Sequence, residues 1–533
     1  MLNPGRVERS ATGGEPSGPV TVAASGSVTD MALSMADQRR RRSRTATPAA
    51  PAPWGAGRGR GPGARPTALS TIARMPSPAR RQQASRGEPV WVLTALATSL
   101  VLGFAAAFAR PGADCYWVAA LGREVLRTGR VPDGIPFAAA ATAGWPNVPV
   151  AAEVLFAWLA QLGPGGLVGA QLLADTAALL LLALGARRLG GSDAGTAAVL
   201  VLVAAGSLPA LVVGRLQLLS LIPFALLLVL LRREHELPSW RVWLLVPLVA
   251  AWSNLHGAVL MGVAVAGAYL LLSRARRDPR TALAVVVASL LALSATPAGL
   301  RTGSYYLGVL GNEAARRGTG LWARPSAHNV FDVLLVAVAL VLLLLALRRR
   351  LPLWEYAALA GVSLATLTSA RHGIWRLFLC AAPAAARVGR RLPAAPWGRP
   401  AWAAAISLAG VAAACLLVVG RGESVLPSNP RVVSAVARVA GDGVVLAEEP
   451  LVESLAFNGV RVWVSNPIDA FRPRDQAAYL DFLTAGPDAT VAVSNVDVVV
   501  VQAQSPAAAL VGRDPGLAPV QSVDGWVIYR RSR

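Results

Sequence analysis

The sequence contains no lysine, so all 51 of its basic residues are arginines. Against 29 acidic residues they give a formal net charge of +22, a value that by itself is typical of nucleic-acid-binding proteins. The arginines, however, gather in the N-terminal tail and at one end of each long apolar block. Membrane topology requires this placement, since basic residues remain on the cytoplasmic side. We therefore expect the charge to orient the chain in a bilayer, and we exclude nucleic acid as a partner.

Cysteine is scarce as well. Cys115, Cys380 and Cys415 are far apart and odd in number, which argues against a disulfide framework and against a zinc site of paired cysteines. The HExxH, P-loop, GxSxG and paired CxxC patterns are also missing, so nothing supports a zinc protease, an ATPase or a serine hydrolase. No cofactor is expected; a divalent metal stays open, without support from the sequence.

Charged residues of either sign are few, at 15% of the chain, whereas hydrophobic residues make up 54% and the mean hydropathy is +0.49. These values exclude an ordinary soluble enzyme. The apolar residues fall in blocks of roughly 17 to 22, about the length of a helix that crosses the hydrocarbon core. Because lipid offers no partners to backbone polar groups, such blocks must be helical. The predicted fold is an α-helical polytopic membrane protein.

The N-terminal segment, residues 1–88, is rich in Gly, Pro, Ala, Ser and Arg and has no apolar periodicity. The run Arg39–Arg42 and the stretch 48–66 are typical of disordered chain. No apolar core follows the first charges, so this is not a signal peptide. We predict a disordered basic cytoplasmic tail that contacts anionic lipid.

The transmembrane domain is predicted at residues 89–422, with about eleven spans. They lie near residues 90–109, 166–186, 194–213, 216–231, 240–256, 257–273, 280–297, 330–347, 354–370, 372–387 and 400–420. With the N-terminus inside, each predicted inner turn carries a basic cluster: Arg187-Arg188, Arg232-Arg233, Arg274 to Arg280, Arg348 to Arg350, and Arg387 to Arg391. An odd number of spans then places the C-terminus outside a multi-pass inner or plasma membrane protein.

Two loops on the predicted outer side are long. The first, 110–165, contains an apolar stretch from Ala151 to Leu162 that is too short to span and is predicted to be a helix at the membrane interface. The second runs from about 298 to 329.

After the last span, residues 423–533 show β-rich runs that alternate with helical ones. The predicted strands are 444–447, 460–464, 496–501 and 526–529, and the predicted helical runs are 432–439 and 474–483. This alternation predicts an extracytoplasmic α/β domain.

Seven polar groups map to the outer ends of spans or to the outer loops: Asp114, Glu153, Arg215, Asn254, His256, Arg371 and His372. A charged group near hydrocarbon is costly, so it tends to face a cavity and to mark function. A carboxylate at such a cavity can take a proton from an acceptor hydroxyl. Arginines and a histidine can hold a phosphate, arginine in a bidentate manner. The set therefore suits transfer of a sugar from a lipid-linked phosphate.

Each group also has a purely structural interpretation. Asp114 can be a solvated loop acid, Glu153 the wet face of an amphipathic helix, and Arg215 an anchor at the membrane interface. The segment Asn254–Gly257 and the pair Arg371-His372 stand at breaks between apolar runs, where capping and anchoring compete with a cavity lining. Asp469, Arg472 and Arg474, in the C-terminal domain, either contact glycan or the first loop, or lie on a solvated turn.

Short motifs on the outer side carry a family resemblance. In the first loop they are Asp114-Cys115-Tyr116-Trp117, Gly122, Gly129-Arg130-Val131-Pro132, Pro136-Phe137, Trp145 and Glu153. Later come Gly214-Arg215-Leu216-Gln217, Trp252 to Gly257, and Arg371-His372. With the α/β tail they cover most of residues 90 to 533 and resemble the GT-C type polyprenol-phosphate-dependent glycosyltransferases, in particular their bacterial polytopic branch. Two departures are the lack of an acid adjacent to Asp114 and the alanine run 138–141.

The resemblance implies an inverting glycosyltransferase with a polyprenyl-phosphate sugar as donor and a cell-envelope glycan, lipid or protein as acceptor. Asp114 would be the catalytic base and Glu153 a second acid. The residues that would bind the lipid phosphate and its sugar are Arg215, Asn254, His256, Arg371 and His372. A transporter or flippase for a lipid-linked intermediate and a non-catalytic membrane scaffold are the alternatives.

Overall fold

The structure is a computed structural model that describes residues 91–142, 144–388, 400–426 and 429–532. The tail predicted at 1–88 lies outside the described residues. The helices before the C-terminal domain are α1 (Val92–Phe108), α2 (Ala113–Thr128), α3 (Val150–Gln161), α4 (Pro164–Arg188), α5 (Asp193–Gly206), α6 (Leu208–Val212), α7 (Leu221–Glu236), α8 (Leu245–Ser253), α9 (Val259–Tyr269), α10 (Pro279–Ala292), α11 (Thr302–Gly311), α12 (Glu313–Arg317), α13 (Val330–Leu347), α14 (Leu353–Thr368), α15 (Gly373–Val388) and α16 (Pro400–Arg421). The strands among them are β1 (Arg110–Pro111) and β2 (Val213–Gly214).

Helices stand at the predicted spans. The span predicted at 330–347 is α13, whereas the one predicted at 194–213 is divided, because α5 ends at Gly206 and the short α6 follows. Among the described residues, four helical segments are long and apolar enough to cross a membrane by length and composition: Pro164–Arg188, Leu216–Glu236, Val330–Leu347 and Ala401–Arg421. The predicted number of about eleven spans stays a prediction.

Helix α15 lies at the centre of the bundle. Every residue from Gly373 to Ala386 except Arg376 is buried, as is typical of a helix enclosed by others on all sides. Phe224 of α7 packs against Trp375 with ring centroids 4.9 Å apart. This contact packs the first turn of α15, which follows Arg371 and His372, against α7.

The C-terminal domain contains α17 (Pro430–Ala440), β3 (Val445–Ala447), α18 (Leu451–Phe457), α19 (Pro473–Thr484), α20 (Ala489–Ser494), β4 (Val498–Gln502), α21 (Pro506–Val511), β5 (Leu517–Val523) and β6 (Trp526–Arg531). The sheet order is β3-β4-β6-β5. β3 pairs with β4 in parallel, and the other pairs are antiparallel. The prediction of an α/β domain is confirmed at this level, although β5 was not predicted.

The first outer loop joins this domain through its backbone. Val462 forms parallel bridges with Val445 on one side and with Ala138 on the other. The Ala139 N–H donates to the Val462 carbonyl at 2.7 Å, so the alanine run is an added edge of the sheet. The strand predicted at 460–464 is reduced to this one bridged position. Side chains of both regions fill one hydrophobic core, with Phe156 packed in the same cluster as Tyr479.

Candidate active site

Two short strands bring the first outer loop beside the segment that precedes α7. β1 and β2 pair in parallel, with Pro111 opposite Gly214. A Cβ on Gly112 would lie 2.7 Å from the carbonyl oxygen of Gly214, so the close approach of the two backbones requires glycine there. Asp114 and Arg215 follow the strands, and Arg215 Nη1 lies 3.8 Å from Asp114 Oδ2. The strand pair thus joins an acid and a cation that lie far apart in the sequence.

A cavity of about 420 Å³ opens beside Asp114. Its polar wall is formed by Asp114, Gln217, His256, Tyr305, Arg371, His372 and Asp469. Its apolar wall includes Leu216, Leu260, Met261, Val309, Leu310 and Trp375. Four of the seven predicted site residues therefore line one cavity, and a fifth, Arg215, touches it through its ion pair with Asp114.

His256 is oriented by its neighbours. Its Nδ1 accepts the backbone N–H of Ala258 at 3.1 Å and lies 3.1 Å from the Ser220 hydroxyl, which accepts the Trp252 Nε1–H at 2.8 Å. A nitrogen that accepts an amide N–H carries no proton, so the proton of the neutral ring is on Nε2. The histidine thus offers an N–H donor at the cavity wall.

Arg371 is held by the second outer loop. Its guanidinium carbon lies 3.7 Å from the ring centroid of Trp322, a cation–π contact. The Ala370 N–H donates to the Ala323 carbonyl at 3.0 Å, and Gln217 Nε2–H donates to the Arg371 carbonyl at 3.3 Å. Burial lowers the pKa of Arg371 to about 10, and the charge of Asp114 opposes this shift. The side chain remains a cation at neutral pH.

Glu153 is not among the residues that line the cavity, and its burial contradicts the alternative of a wet helix face; its predicted role as a second acid stays a prediction. It is fully buried, and its Oε2 accepts the Asn147 side-chain N–H at 2.9 Å. Burial raises the pKa of this carboxyl to about 8, and the Asn147 hydrogen bond opposes the shift. The physical reason is close packing of α3 on α2, because a Cβ on Gly122 would lie 1.9 Å from the Glu153 carbonyl oxygen.

Asn254 is also outside the cavity wall. Its Nδ2 donates to the carbonyl of Ala250 at 2.8 Å and to that of Ala295 at 2.6 Å. These bonds cap the end of α8 and tie it to the segment after α10, whereas the predicted binding role of Asn254 stays a prediction. The break that it caps nevertheless positions His256, two residues later.

The C-terminal domain supplies acids that the sequence interpretation missed. Asn466 Nδ2 donates to Glu449 Oε1 at 3.1 Å and to Glu453 Oε1 at 2.8 Å. Removal from bulk water raises the pKa of both carboxyls, and the charge of Asp114 raises each further. Glu453 is fully buried, whereas Glu449 keeps access to solvent. A sequence signal that could have indicated Glu449 is the acidic pair Glu448-Glu449 directly after the parallel strand β3. Ligands of α/β sheets commonly bind at that end of a strand.

Asp469 connects all three outer segments. Its Oδ2 accepts the Trp145 Nε1–H at 3.0 Å, and the Trp145 ring packs on Tyr305 with centroids 6.1 Å apart. Burial raises the pKa of Asp469 to about 6, and the Trp145 hydrogen bond opposes the shift. Of the two interpretations of Asp469, contact with the first loop is therefore confirmed.

The arrangement can bind an anion and activate a hydroxyl. Arg371 and the Nε2–H of His256 offer positive charge and a donor to a phosphate, and the Asp114 carboxylate offers a base at the same cavity. Among the described residues, no three His, Cys, Asp or Glu side chains are grouped so as to hold a metal ion.

No protein-family model matches the sequence, and no curated protein sequence is similar to it. Several solved structures show a distant similarity to this chain. The arabinofuranosyltransferase AftD from Mycobacteria is 15% identical, with a TM-score of 0.46 over 83% of this chain and 42% of that chain. The archaeal oligosaccharyltransferase AglB from Archaeoglobus fulgidus, in complex with an inhibitory peptide and a dolichol-phosphate, is 12% identical, with a TM-score of 0.47 over 83% of this chain and 74% of that chain.

ArnT from Cupriavidus metallidurans, bound to undecaprenyl phosphate, is 14% identical, with a TM-score of 0.48 over 82% of this chain and 97% of that chain. The chain spans less than half of the AftD chain. With TM-scores below 0.5 and identities of 15% or less, these similarities support nothing further, and the chemistry of the site rests on its own residues.

Proposed function

We propose that this protein is a membrane glycosyltransferase that moves a sugar from a polyprenyl-phosphate donor to a cell-envelope acceptor at the outer face of the membrane. The observation that supports it most is the composition of one cavity of about 420 Å³, where a carboxylate, a guanidinium and imidazoles stand beside an apolar wall. The polar part suits a phosphosugar, and the apolar part suits the first isoprene units of its lipid. The N-terminus is then cytoplasmic and the C-terminal domain extracytoplasmic, as the arginine pattern indicates.

In the proposed reaction Asp114 is the base. The acceptor hydroxyl oxygen forms a bond to the anomeric carbon while Asp114 takes the hydroxyl proton. The bond between the anomeric carbon and the phosphate oxygen breaks, and the electron pair leaves with polyprenyl phosphate. Attack from the side opposite to the leaving group inverts the anomeric configuration.

The leaving phosphate gains negative charge in the transition state. Arg371, fixed on Trp322, and the Nε2–H of His256 are positioned donors for that charge. Arg215 is ion-paired with Asp114, which orients the carboxylate and adds a second cation beside Arg371. His372 lies on the same wall of the cavity.

The acceptor is assigned to the side of the C-terminal domain. Glu449, which is exposed to solvent and whose pKa the charge of Asp114 helps to raise, can accept hydrogen bonds from acceptor hydroxyls. Asn466 holds Glu449 and Glu453 together, so the domain offers a fixed acidic rim rather than a mobile side chain.

The test uses the full chain in proteoliposomes with a panel of polyprenyl-phosphate sugars and measures release of polyprenyl phosphate. Asp114→Asn should lower the rate by about 10² to 10⁴, the usual loss on removal of a general base. Asp442→Asn is the matched control, because Asp442 is an exposed acid of the C-terminal domain. Full transfer by Asp114→Asn would refute this mechanism.

A binding experiment separates the enzyme from its alternatives. A diazirine-bearing polyprenyl phosphate should label residues 214–217, 254–257 or 371–376, in competition with unlabelled polyprenyl phosphate. Competed labelling without any turnover, together with movement of the lipid across the bilayer, would favour a transporter or flippase. Absence of competed labelling would favour the scaffold.

A further inference from the structure

Four arginines line a cavity at the end of the bundle opposite to the candidate active site. The cavity, of about 280 Å³, is formed by Arg348, Arg349, Arg350, Ala386 and Arg387. Arg371 precedes α15 and Arg387 lies in its last turn, and 16 residues of helix correspond to about 24 Å. The cavity is therefore separate from the site of the proposed transfer.

These arginines lack anionic partners within the described part of the chain. No carboxylate lies within 4.0 Å of any of the four, and the Nε of Arg387 is buried without a hydrogen-bond acceptor. Arg349 is fixed in place, since its Nη1 donates to the Leu189 carbonyl at 2.9 Å. The sequence of the adjoining segment 389–399 contains no acid either.

Nearby arginines show the contrast. Arg232 pairs with Glu355 at 3.0 Å, and Arg274 lies 3.6 Å from Glu234. These two buried guanidinium groups each have a carboxylate partner. The cavity at residues 348–350 has converging cations and no such carboxylate.

An external anion resolves this imbalance. Four cations around one small cavity repel one another, and a buried N–H without an acceptor is costly. Guanidinium groups bind phosphate oxygens in a bidentate manner, and 280 Å³ accommodates a phosphate group. The arginine pattern predicts that this end faces the cytoplasm, where anionic lipids are enriched.

We propose that the cavity formed by Arg348, Arg349, Arg350 and Arg387 is a binding site for a phosphate group at the inner membrane surface. The ligand is a phosphate mono- or diester, carried by an anionic phospholipid headgroup or free in the cytoplasm. The site is independent of the proposed glycosyl transfer.

The test compares the full-length protein with an Arg348→Gln/Arg350→Gln double variant. Both side chains are exposed, and Arg349, which is bonded to the backbone, is retained, so the fold is not at risk. Arg276→Gln/Arg280→Gln is the matched control. Arg276 and Arg280 are exposed at another predicted inner turn, and their replacement removes the same amount of charge. Delipidated protein in detergent is titrated by native mass spectrometry with phosphatidylglycerol, with phosphatidylcholine and with inorganic phosphate.

Wild type and control should bind phosphatidylglycerol with equal affinity and more tightly than phosphatidylcholine. The double variant should bind it at least about tenfold more weakly, since each arginine near anionic lipid contributes several-fold in affinity. Competition by inorganic phosphate would assign the site to free phosphate, and its absence would assign the site to the headgroup. Equal loss in both double variants, or equal binding of phosphatidylcholine, would overturn the proposal.

Discussion

Replacement of Glu153 by glutamine tests whether this acid is structural or catalytic. The carboxyl is fully buried beneath the cavity wall, and its pKa is raised from 4.5 to about 8 by burial. The folded protein therefore holds a proton on Glu153 at pH 7, whereas the unfolded chain has released it. Glutamine has the shape of the protonated acid and has no proton to lose.

The sign and size of the effect follow from proton linkage. Below pH 4.5 the Glu153 carboxyl is protonated in both the folded and the unfolded state. In that range Glu153 does not make the free energy of unfolding depend on pH. Between pH 4.5 and about 8 only the folded state keeps the proton, so the free energy of unfolding falls by about 1.4 kcal/mol for each pH unit. From pH 4.5 to about 8 the free energy of unfolding therefore falls by about 5 kcal/mol at most. Above pH 8 the contribution is constant again.

The assay is thermal unfolding of the detergent-purified protein from pH 5 to pH 8.5. The difference in stability between Glu153→Gln and the wild type should shift in favour of the variant as the pH rises, by several kcal/mol over this range. Other titrating groups are common to both proteins and cancel in the comparison. The variant should also retain sugar transfer at neutral pH. A difference independent of pH, or a variant that folds but transfers no sugar, would refute the structural assignment.

Two further substitutions test how the first outer loop is held. Gly122→Ala should destabilise the protein by about 1 to 3 kcal/mol, because the new methyl group would meet the Glu153 carbonyl oxygen. Thermal unfolding measures this loss, and the control is Gly129→Asn, at a left-handed position with open space around it. An unchanged melting temperature for Gly122→Ala would contradict the packing. Ala139→Pro removes the N–H that donates to the Val462 carbonyl at 2.7 Å and should cost about 1 to 3 kcal/mol. Limited proteolysis should then release the C-terminal domain faster than in the wild type, and an unchanged rate would argue that this backbone pairing does not hold the domain.

The proposed site depends on three outer segments that meet only in the folded chain. The first loop brings Asp114, the second brings Tyr305 and supports Arg371, and the C-terminal domain brings Glu449 and Asp469. The second loop is itself attached to the domain, since Arg317 Nη1 donates to Asp481 Oδ1 at 2.6 Å. Displacement of the domain would thus change both the acceptor side and the cationic wall.

The sequence by itself determined the class of the protein and the position of most helices. Apolar blocks can only be helices in lipid, so helices such as the one at 330–347 can be predicted without knowledge of any tertiary contact. The polar groups Asp114, Arg215, His256, Arg371 and His372 were also identifiable, because polar residues at the ends of apolar runs are rare and conspicuous.

Which polar residue faces the cavity was decided by tertiary packing. Glu153 and Asn254 have the same sequence signature as His256, yet Gly122 brings the α3 backbone against α2 and Asn254 caps a helix end. The direction in which a side chain of a short helix points depends on which element packs against that helix. The local sequence does not encode that element.

The partners of Asp114 were likewise a matter of tertiary structure. The pairing of β1 with β2 spans about a hundred residues of sequence, and Glu449 comes from a separate domain. No acid stands next to Asp114 in the sequence, whereas in the fold the charge of Asp114 helps to raise the pKa of Glu449 in the C-terminal domain. Interactions between charges depend on distance in space, and here the distance was set by a backbone pairing and a shared hydrophobic core rather than by neighbouring residues.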